Sequence, residues 1–404
     1  MSAQVIVDPG RATQRPYGVA IYNSNLISTL SDIAPQDIEL RQLSLADPGE
    51  VLPGWHVPSG ALPKLRIPMF RSLVLAVAAT LRPAADLLLL RRSDSYYHAL
   101  VPEEGLPVDP ERRIVSVHGL ESLSCSGSTM SKANLAIRSD SARRSGAGIR
   151  GASDRIFEYV AASRAIVTTS SYLAEHLTRE VGIDPAKISV IPGGVDHTRF
   201  FPREESEVEE IVSRYSLRRP YAVSVADSGA SARLVDVEAV ADRVWRKERV
   251  EVVIVGTSRG RRPGTRRLGY VPREHLPALY SGAVAFLTLS KFHGFPLSVL
   301  ESLACGTPVV AVRSEGMIEA VGDHAFLVEE GDVDRATDGV LKFLEKRFRK
   351  KASLEGIEHA RKFSWYKTAL ATLDLYRRIV SGGAAADMQS DQRERAIPSP
   401  QELE

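Results

Sequence analysis

Phe292-His293-Gly294-Phe295-Pro296-Leu297-Ser298-Val299-Leu300-Glu301-Ser302-Leu303-Ala304-Cys305-Gly306-Thr307-Pro308-Val309-Val310 is the stretch that decides the fold. It reads as a strand, a glycine turn, a short helix, a second glycine and a buried strand. Gly294 has no Cβ, so the backbone there can turn tightly and lie close to a ligand. The helix that follows opens with amides that have no intrahelical acceptor, which makes a ready anion site. Pro296 donates no hydrogen bond, but its fixed φ suits a first helical turn. Glu301 falls about one and a half turns into the helix. A carboxylate there can accept hydrogen bonds from sugar hydroxyls.

The stretch sits in a chain of 404 residues, long enough for two domains and a tail. Hydrophobic content of 44% and charged content of 25% are those of a globular protein in water. A formal net charge of +2 excludes global nucleic-acid-type basicity. Cys125 and Cys305 offer neither a disulfide framework nor zinc spacing. The N-terminus enters a strand pattern at once, without the basic and apolar regions of a signal peptide. The longest apolar runs are too short to span a bilayer. The expectation is a cytoplasmic protein.

Gln4–Val7 reads as a first strand feeding the turn Asp8-Pro9-Gly10, followed by a helix through Ile21, Leu26 and Leu30. Ile38–Leu43 reads as a strand, 44–63 as a loop, Ile67–Leu81 as a helix, and Asp86–Leu90 and Ile114–Val117 as buried strands. A helix over Arg155–Arg164 precedes a strand at Ala165–Ser170, and Ser171 is placed as the cap of a helix over Tyr172–Val181. The strand Lys187–Ile191 ends at Gly193-Gly194. Acidic, solvated residues 203–210 mark the boundary zone. The alternation then restarts: strands at Tyr221–Val225, Val250–Gly256, Leu268–Val271 and Val284–Leu287, helices at Val235–Val244 and Glu274–Ser281. Strands spaced by helices predict parallel, doubly wound sheets, which bind ligands beyond the carboxyl ends of their strands. A last helix runs through Tyr366 to Ile379, and a mobile tail is expected after Gly382.

The segment around Glu301 resembles the donor-site signature of family-4-type retaining glycosyltransferases with the GT-B fold: Glu, seven residues, Glu, then Ala-Cys-Gly-Thr-Pro-Val-Val. Val190-Ile191-Pro192-Gly193-Gly194-Val195-Asp196, Leu268-Gly269-Tyr270-Val271, Leu279-Tyr280-Ser281-Gly282-Ala283 and Phe363-Ser364-Trp365 are similar to further landmarks of that family, in order. The resemblance covers roughly residues 160–380, with looser similarity before them. It implies an α/β chain of two doubly wound Rossmann-like domains facing across a cleft. The expected domains are an acceptor-side domain at 1–200 and a nucleotide-sugar domain at 201–362. A helix at 363–381 would return to the first domain, and 382–404 would be tail.

The resemblance also implies site residues. Gly294, Phe295 and Leu297 would line the donor, and Glu301 would accept from the ribose hydroxyls. Gly18, in the loop from Asp8 to Val19, would lie near the donor phosphates. His118, in Val117-His118-Gly119, would face the donor sugar. The competing reading for His118 is a satisfied strand-end histidine, and for Glu301 a solvated helix carboxylate. Glu319, in Ile318-Glu319-Ala320-Val321, matches a family helix and is read as structural.

Two positions depart from the family pattern. His293 stands where the first signature Glu is expected, and Asp227 about where a diphosphate-binding Arg is expected, leaving Arg233 as the nearest counterpart of the family's Lys. His293 can hydrogen-bond a sugar hydroxyl but supplies no permanent negative charge. A carboxylate at 227 repels a diphosphate. Arg259, Arg261, Arg262, Arg266 and Arg267 follow downstream and read as a solvated basic loop.

The expected activity is transfer of a sugar, with retention, from a nucleoside diphosphate sugar to a hydroxyl acceptor, with no cofactor and no metal. His118 and His293 are the expected sugar-positioning residues. The alternatives are a binding protein that keeps the fold without turnover, and another GT-B enzyme such as an epimerase or phosphorylase. The basic segment 132–155 reads as a solvated loop, with contact to anionic lipid at the inner membrane face as its alternative.

Overall fold

The computed structural model describes residues 3–9, 18–33, 35–45, 64–67, 94–102, 105–120, 152–226, 234–256, 260–290 and 294–383. The chain divides into two compact units, residues 1–192 with 369–404, and residues 193–368.

In the first unit, strands β1 (Ala3–Asp8), β2 (Ile38–Leu45), β3 (Lys64–Ile67), β4 (Ser95–Ala99), β5 (Arg113–Val117), β6 (Ala165–Thr168) and β7 (Ile188–Val190) form a parallel sheet of order β3-β2-β1-β4-β5-β6-β7. The order reverses about β1, whose Val7 lies beside Gln42 on one flank and His98 on the other. Helices α1 (Gly18–Ile33), α2 (Ala152–Ala162) and α3 (Ser171–His176) accompany the sheet. Ile6, Tyr97, Val115, Val117 and Ile166 point to one face, where they pack with Ile156, Val160 and Leu173 of α2 and α3. Such near-continuous burial of strands is what a parallel sheet covered on both faces requires.

Several sequence expectations are corrected here. Strand β4 falls at Ser95–Ala99, a run the periodicity does not reveal because its buried residues include Ser95 and His98. The strand and helix expected at Asp86–Leu90 and Ile67–Leu81 lie outside the described residues, apart from Ile67, which closes β3. The cap of α3 is Ser170, whose hydroxyl accepts from the Leu173 amide at 3.2 Å; Ser171 is already helical. The helix then widens into a π turn over Leu177–Val181 and stops at Gly182, φ +78°.

In the second unit, strands β8 (Tyr221–Val225), β9 (Glu251–Val255), β10 (Gly260–Arg262), β11 (Thr265–Gly269), β12 (Phe286–Thr288), β13 (Val309–Val312) and β14 (Ala325–Val328) take the order β10-β11-β9-β8-β12-β13-β14. All neighbours are parallel except the β10–β11 hairpin. The helices are α4 (Glu205–Arg214), α5 (Leu234–Glu248), α6 (Leu276–Ser281), α7 (Leu297–Ala304), α8 (Glu315–Val321), α9 (Val333–Lys342), α10 (Lys346–Ala360) and α11 (Trp365–Val380), the last running across the division into residues of the first unit. Acidic residues 203–210 are thus mostly helical, with Glu205 and Glu207 in the first turn of α4, where they favour the helix dipole.

The basic loop expected around residues 259–267 is, from Gly260 onward, the β10–β11 hairpin. Its exposed arginines on β10, Arg261 and Arg262, occupy a sheet edge, a placement that discourages further strand pairing. The two arginines of β11 are half-buried and have structural partners: Arg267 pairs with Glu238, and Arg266 donates to the Ser216 carbonyl at 2.5 Å.

Candidate functional site

Helix α7 is positioned from both ends. At its start, Pro296 has φ −84° and ψ 71°, and the Leu297 amide donates to the Phe295 carbonyl at 3.0 Å. This is an inverse γ-turn, a common lead into an element. It consumes the Leu297 amide, so the donor groups left to the turn are those of Gly294 and Phe295, which make no backbone hydrogen bond among the described residues. At its end, Gly306 at φ +78° donates to Leu303 and Thr307 donates to Ser302, at 2.9 and 3.0 Å. These paired bonds form a Schellman motif that satisfies the last helix carbonyls. The Thr307 hydroxyl then donates to the Tyr280 carbonyl at 2.7 Å, and Val309 enters β13.

The residues before the helix are packed as well. The Phe295 ring lies 5.7 Å from that of Phe363 and against Gly193, where a Cβ would come within 2.9 Å of the ring. Gly194 approaches the backbone of Ser364 and Trp365 so closely that a Cβ would stand 2.2 Å from the Trp365 nitrogen. The Val195 amide and the His197 ring both bond the Phe363 carbonyl, at 3.3 and 2.9 Å. The Gly193-Gly194 pair is therefore dictated by packing, and the Phe295 side chain is part of that packing.

Glu301 is 3% exposed and projects from α7 toward Arg273, whose Nη2 donates to Oε1 at 2.5 Å. Burial pushes the carboxyl up from the ordinary range, while the Arg273 charge and hydrogen bond oppose that shift. The guanidinium also lies 4.9 Å over the Phe200 ring. The solvated-carboxylate reading of Glu301 is thereby excluded. Arg273 was not singled out in the sequence; a lone arginine after Pro272 gives no signal until the fold brings it to α7.

Beside α7 the second sheet reverses its strand order between β8 and β12, the place where open α/β sheets bind ligands. Ser224, Ala226, Thr288 and Ser290 are among the residues lining a small cleft there. Arg233, Asp227 and His293 lie outside the described residues.

In the first unit, His118 follows β5 and is 9% exposed. Its Nε2 lies 2.9 Å from the Leu100 carbonyl, and the Tyr22 ring of α1 meets it edge-on at 4.6 Å. A carbonyl only accepts, so Nε2 carries the proton and Nδ1 is left as an acceptor. Burial pushes the imidazole down to about 4. His118 is thus a neutral acceptor at physiological pH. Gly18 opens α1, and a Cβ there would meet nothing within 4 Å, so packing does not demand glycine.

Among the described residues no helix is long and apolar enough to cross a membrane, and no group of three or more His, Cys, Asp or Glu side chains could hold a metal. The basic segment 132–155 lies outside the described residues up to residue 151; Arg155, within α2, is exposed.

Two doubly wound α/β units, one of which carries a Gly-Phe turn and a buried helix glutamate at its sheet reversal, define a chain of the GT-B class. The chain belongs to the family-4-type glycosyltransferases: residues 218–363 match the model "Glycosyl transferases group 1" and residues 95–199 match "Glycosyltransferase Family 4". The O-antigen chain mannosyltransferase B of Escherichia coli is 37% identical over 123 residues, covering 30% of this chain and 32% of that protein. The D-inositol 3-phosphate glycosyltransferase of Segniliparus rotundus is 29% identical over 252 residues, covering 58% of this chain and 56% of that protein. The matched stretches thus span about a third and just over half of these relatives' lengths. Among solved structures, sucrose-phosphate synthase from Thermosynechococcus elongatus is similar in fold, with a TM-score of 0.67 at 16% identity, covering 94% of this chain and all of that one.

Proposed function

We propose that this chain is a retaining glycosyltransferase that moves a hexosyl group from a nucleoside diphosphate sugar to a hydroxyl acceptor. The observation that carries the reading is Glu301, buried one and a half turns into α7 behind the Gly294–Phe295 turn and matched by the Arg273 charge. Nothing in an apolar core calls for such a carboxylate, whereas a ribose with two hydroxyls does. The transferase names of the sequence relatives point the same way.

In this mechanism the amides of Gly294 and Phe295 face the charge that develops on the leaving diphosphate, and Arg233 adds a cation. Such preoriented donors stabilise the separating charges without reorganising as the bond breaks. Glu301 holds the ribose. His118 accepts a sugar hydroxyl through Nδ1, and His293 is assigned a sugar contact by its place in the motif. The leaving phosphate oxygen takes the acceptor's proton on the face of attack, so the chain supplies no general base. The second unit takes the donor, and acceptor recognition falls to the first.

The second reading, nucleotide-sugar binding without turnover, is favoured by His293 and Asp227. One experiment separates the two. The protein is incubated with UDP-glucose, GDP-mannose and ADP-glucose, and binding and release of nucleoside diphosphate are followed in the same sample. Release with a hydroxyl acceptor present supports transfer. Binding with no release over every acceptor supports the second reading, and neither binding nor release removes both.

A further inference from the structure

The Arg273–Glu301 pair has a property that neither residue has alone. Glu301 can hold two hydroxyl hydrogens only as a carboxylate; a protonated acid would donate one bond and lose an acceptor. Its surroundings favour the neutral form. Tyr280 beside it is fully buried, with a hydroxyl that makes no hydrogen bond among the described residues, and of the other charges that reach it Arg199 favours the carboxylate while Asp196 opposes it. A carboxylate in such a setting is costly unless a counter-charge is fixed beside it.

Arg273 is fixed in that way. It leads the short turn Arg273–His275 between β11 and α6, with its side chain 18% exposed. Its guanidinium is held by the Phe200 face, and Phe200 in turn stacks on Tyr280, with ring centroids 6.3 Å apart. Only Oε1 of Glu301 is engaged; Oε2 takes no hydrogen bond among the described residues. This single bond orients the carboxylate and leaves one oxygen for a ligand.

We propose that Arg273 is a positioning residue of the donor-side site, which orients Glu301 through Oε1, keeps it an acceptor, and so sets the affinity for the nucleoside part of the donor. The inference rests on reading Glu301 as the group that meets the ribose. It assigns Arg273 no contact with the reacting atoms, so its loss acts on donor affinity and on the pH at which affinity is retained.

The test compares wild type, Arg273→Gln, Arg273→Lys and the double variant Arg273→Gln/Glu301→Gln. UDP, GDP and ADP binding are measured by calorimetry from pH 5.5 to 8.5, and the melting temperature of each unliganded protein is followed over the same range. In Arg273→Gln the folded-state pKa of Glu301 rises further. Stability relative to wild type is then greatest at low pH and is lost as pH rises toward that pKa. Nucleotide affinity runs the opposite way, at least tenfold weaker than wild type at pH 6 and recovering toward pH 8. Arg273→Lys restores most of the affinity at pH 7. The double variant shows neither pH trend.

Wild type that binds nucleotide beside an Arg273→Gln that binds equally well at every pH overturns the inference and leaves the donor-site reading intact. Wild type that binds neither UDP nor GDP, nor ADP, overturns the donor-site reading itself. An Arg273→Gln melting profile parallel to that of wild type overturns the charge-setting role whether or not nucleotide binds. If Arg273→Gln does not fold, Arg273→Lys carries the test, and an affinity at least tenfold below wild type at pH 6, 7 and 8 alike overturns the inference.

Discussion

His98 on β4 and Tyr376 on α11 are joined by a hydrogen bond of 2.7 Å between Nδ1 and Oη, with the rings edge-on at 5.7 Å. The other ring nitrogen of His98 meets the Ser116 hydroxyl at 2.9 Å. Both histidine and tyrosine are almost fully buried, so the bond joins sheet and last helix where water cannot replace it. Removing the hydroxyl leaves a buried imidazole nitrogen unpaired. Tyr376→Phe should therefore destabilise the protein by about 1–3 kcal/mol, read by denaturant unfolding, with m unchanged.

The same region predicts an acid sensitivity. Burial pushes His98 down to about 3 and His118 to about 4, against an ordinary value near 6.5. Each pKa is lower in the folded chain than in the unfolded one. The stabilisation is complete above about pH 6.5 and is lost as pH falls toward the folded values, because the unfolded chain gains protons first. The melting temperature should decline between about pH 6.5 and 4. His98→Gln should flatten that decline while lowering stability at pH 7. An unchanged slope would refute the assignment of the effect to this histidine.

Activity should not follow the same curve. His118 is already neutral throughout the neutral range, and its Nε2–H is committed to the Leu100 carbonyl. A plot of kcat/KM against pH should show no limb from this residue between pH 6 and 8. His118→Asn, which retains an acceptor, should keep more activity than His118→Ala. Equal loss in both would show that the acceptor atom is not what matters.

Two glycines should behave oppositely. Gly194→Ala places a Cβ on the Trp365 backbone and should destabilise by about 3 kcal/mol, since backbone cannot move aside as a side-chain tip can. Gly18→Ala meets open space and should melt within a degree or two of wild type by the usual behaviour of unstrained surface sites. Weakened binding of donor or acceptor in Gly18→Ala at unchanged melting temperature would show that the glycine serves a ligand.

Glu301→Gln keeps the side-chain shape and removes the charge. It leaves the Arg273 guanidinium mostly buried without its counter-ion, so stability should fall by about 3 kcal/mol, the lower end for a broken buried pair. UDP and GDP affinity should fall with it. A variant that loses stability but binds normally would make the pair purely structural.

The second unit was legible because its signals are local. The Ala304-Cys305-Gly306-Thr307-Pro308 run prescribes a helix end and a strand start through backbone chemistry alone, and β8, β9 and β13 are short continuous apolar runs. The first unit was harder because its β4 hides polar residues that are satisfied only from afar: His98 by Ser116 and by Tyr376, 278 residues distant. The site divides in the same way. Glu301 is visible as a motif residue, but its partner Arg273 lies 28 positions upstream with no spacing rule to link them. The β10–β11 hairpin is hidden in the sequence because Gly264, at φ +78° against Trp245, makes a turn that charge content alone conceals.

The Schellman ending of α7 has a consequence for how this lineage can drift. Gly306 combines a left-handed backbone with a neighbour, the Ser353 hydroxyl, that a Cβ would meet at 2.7 Å. Selection for a folded second unit therefore preserves this glycine even in a descendant that has stopped turning over substrate. The glycine-threonine-proline end of the signature records inheritance of a scaffold; a change of livelihood is recorded only at positions that the scaffold does not police.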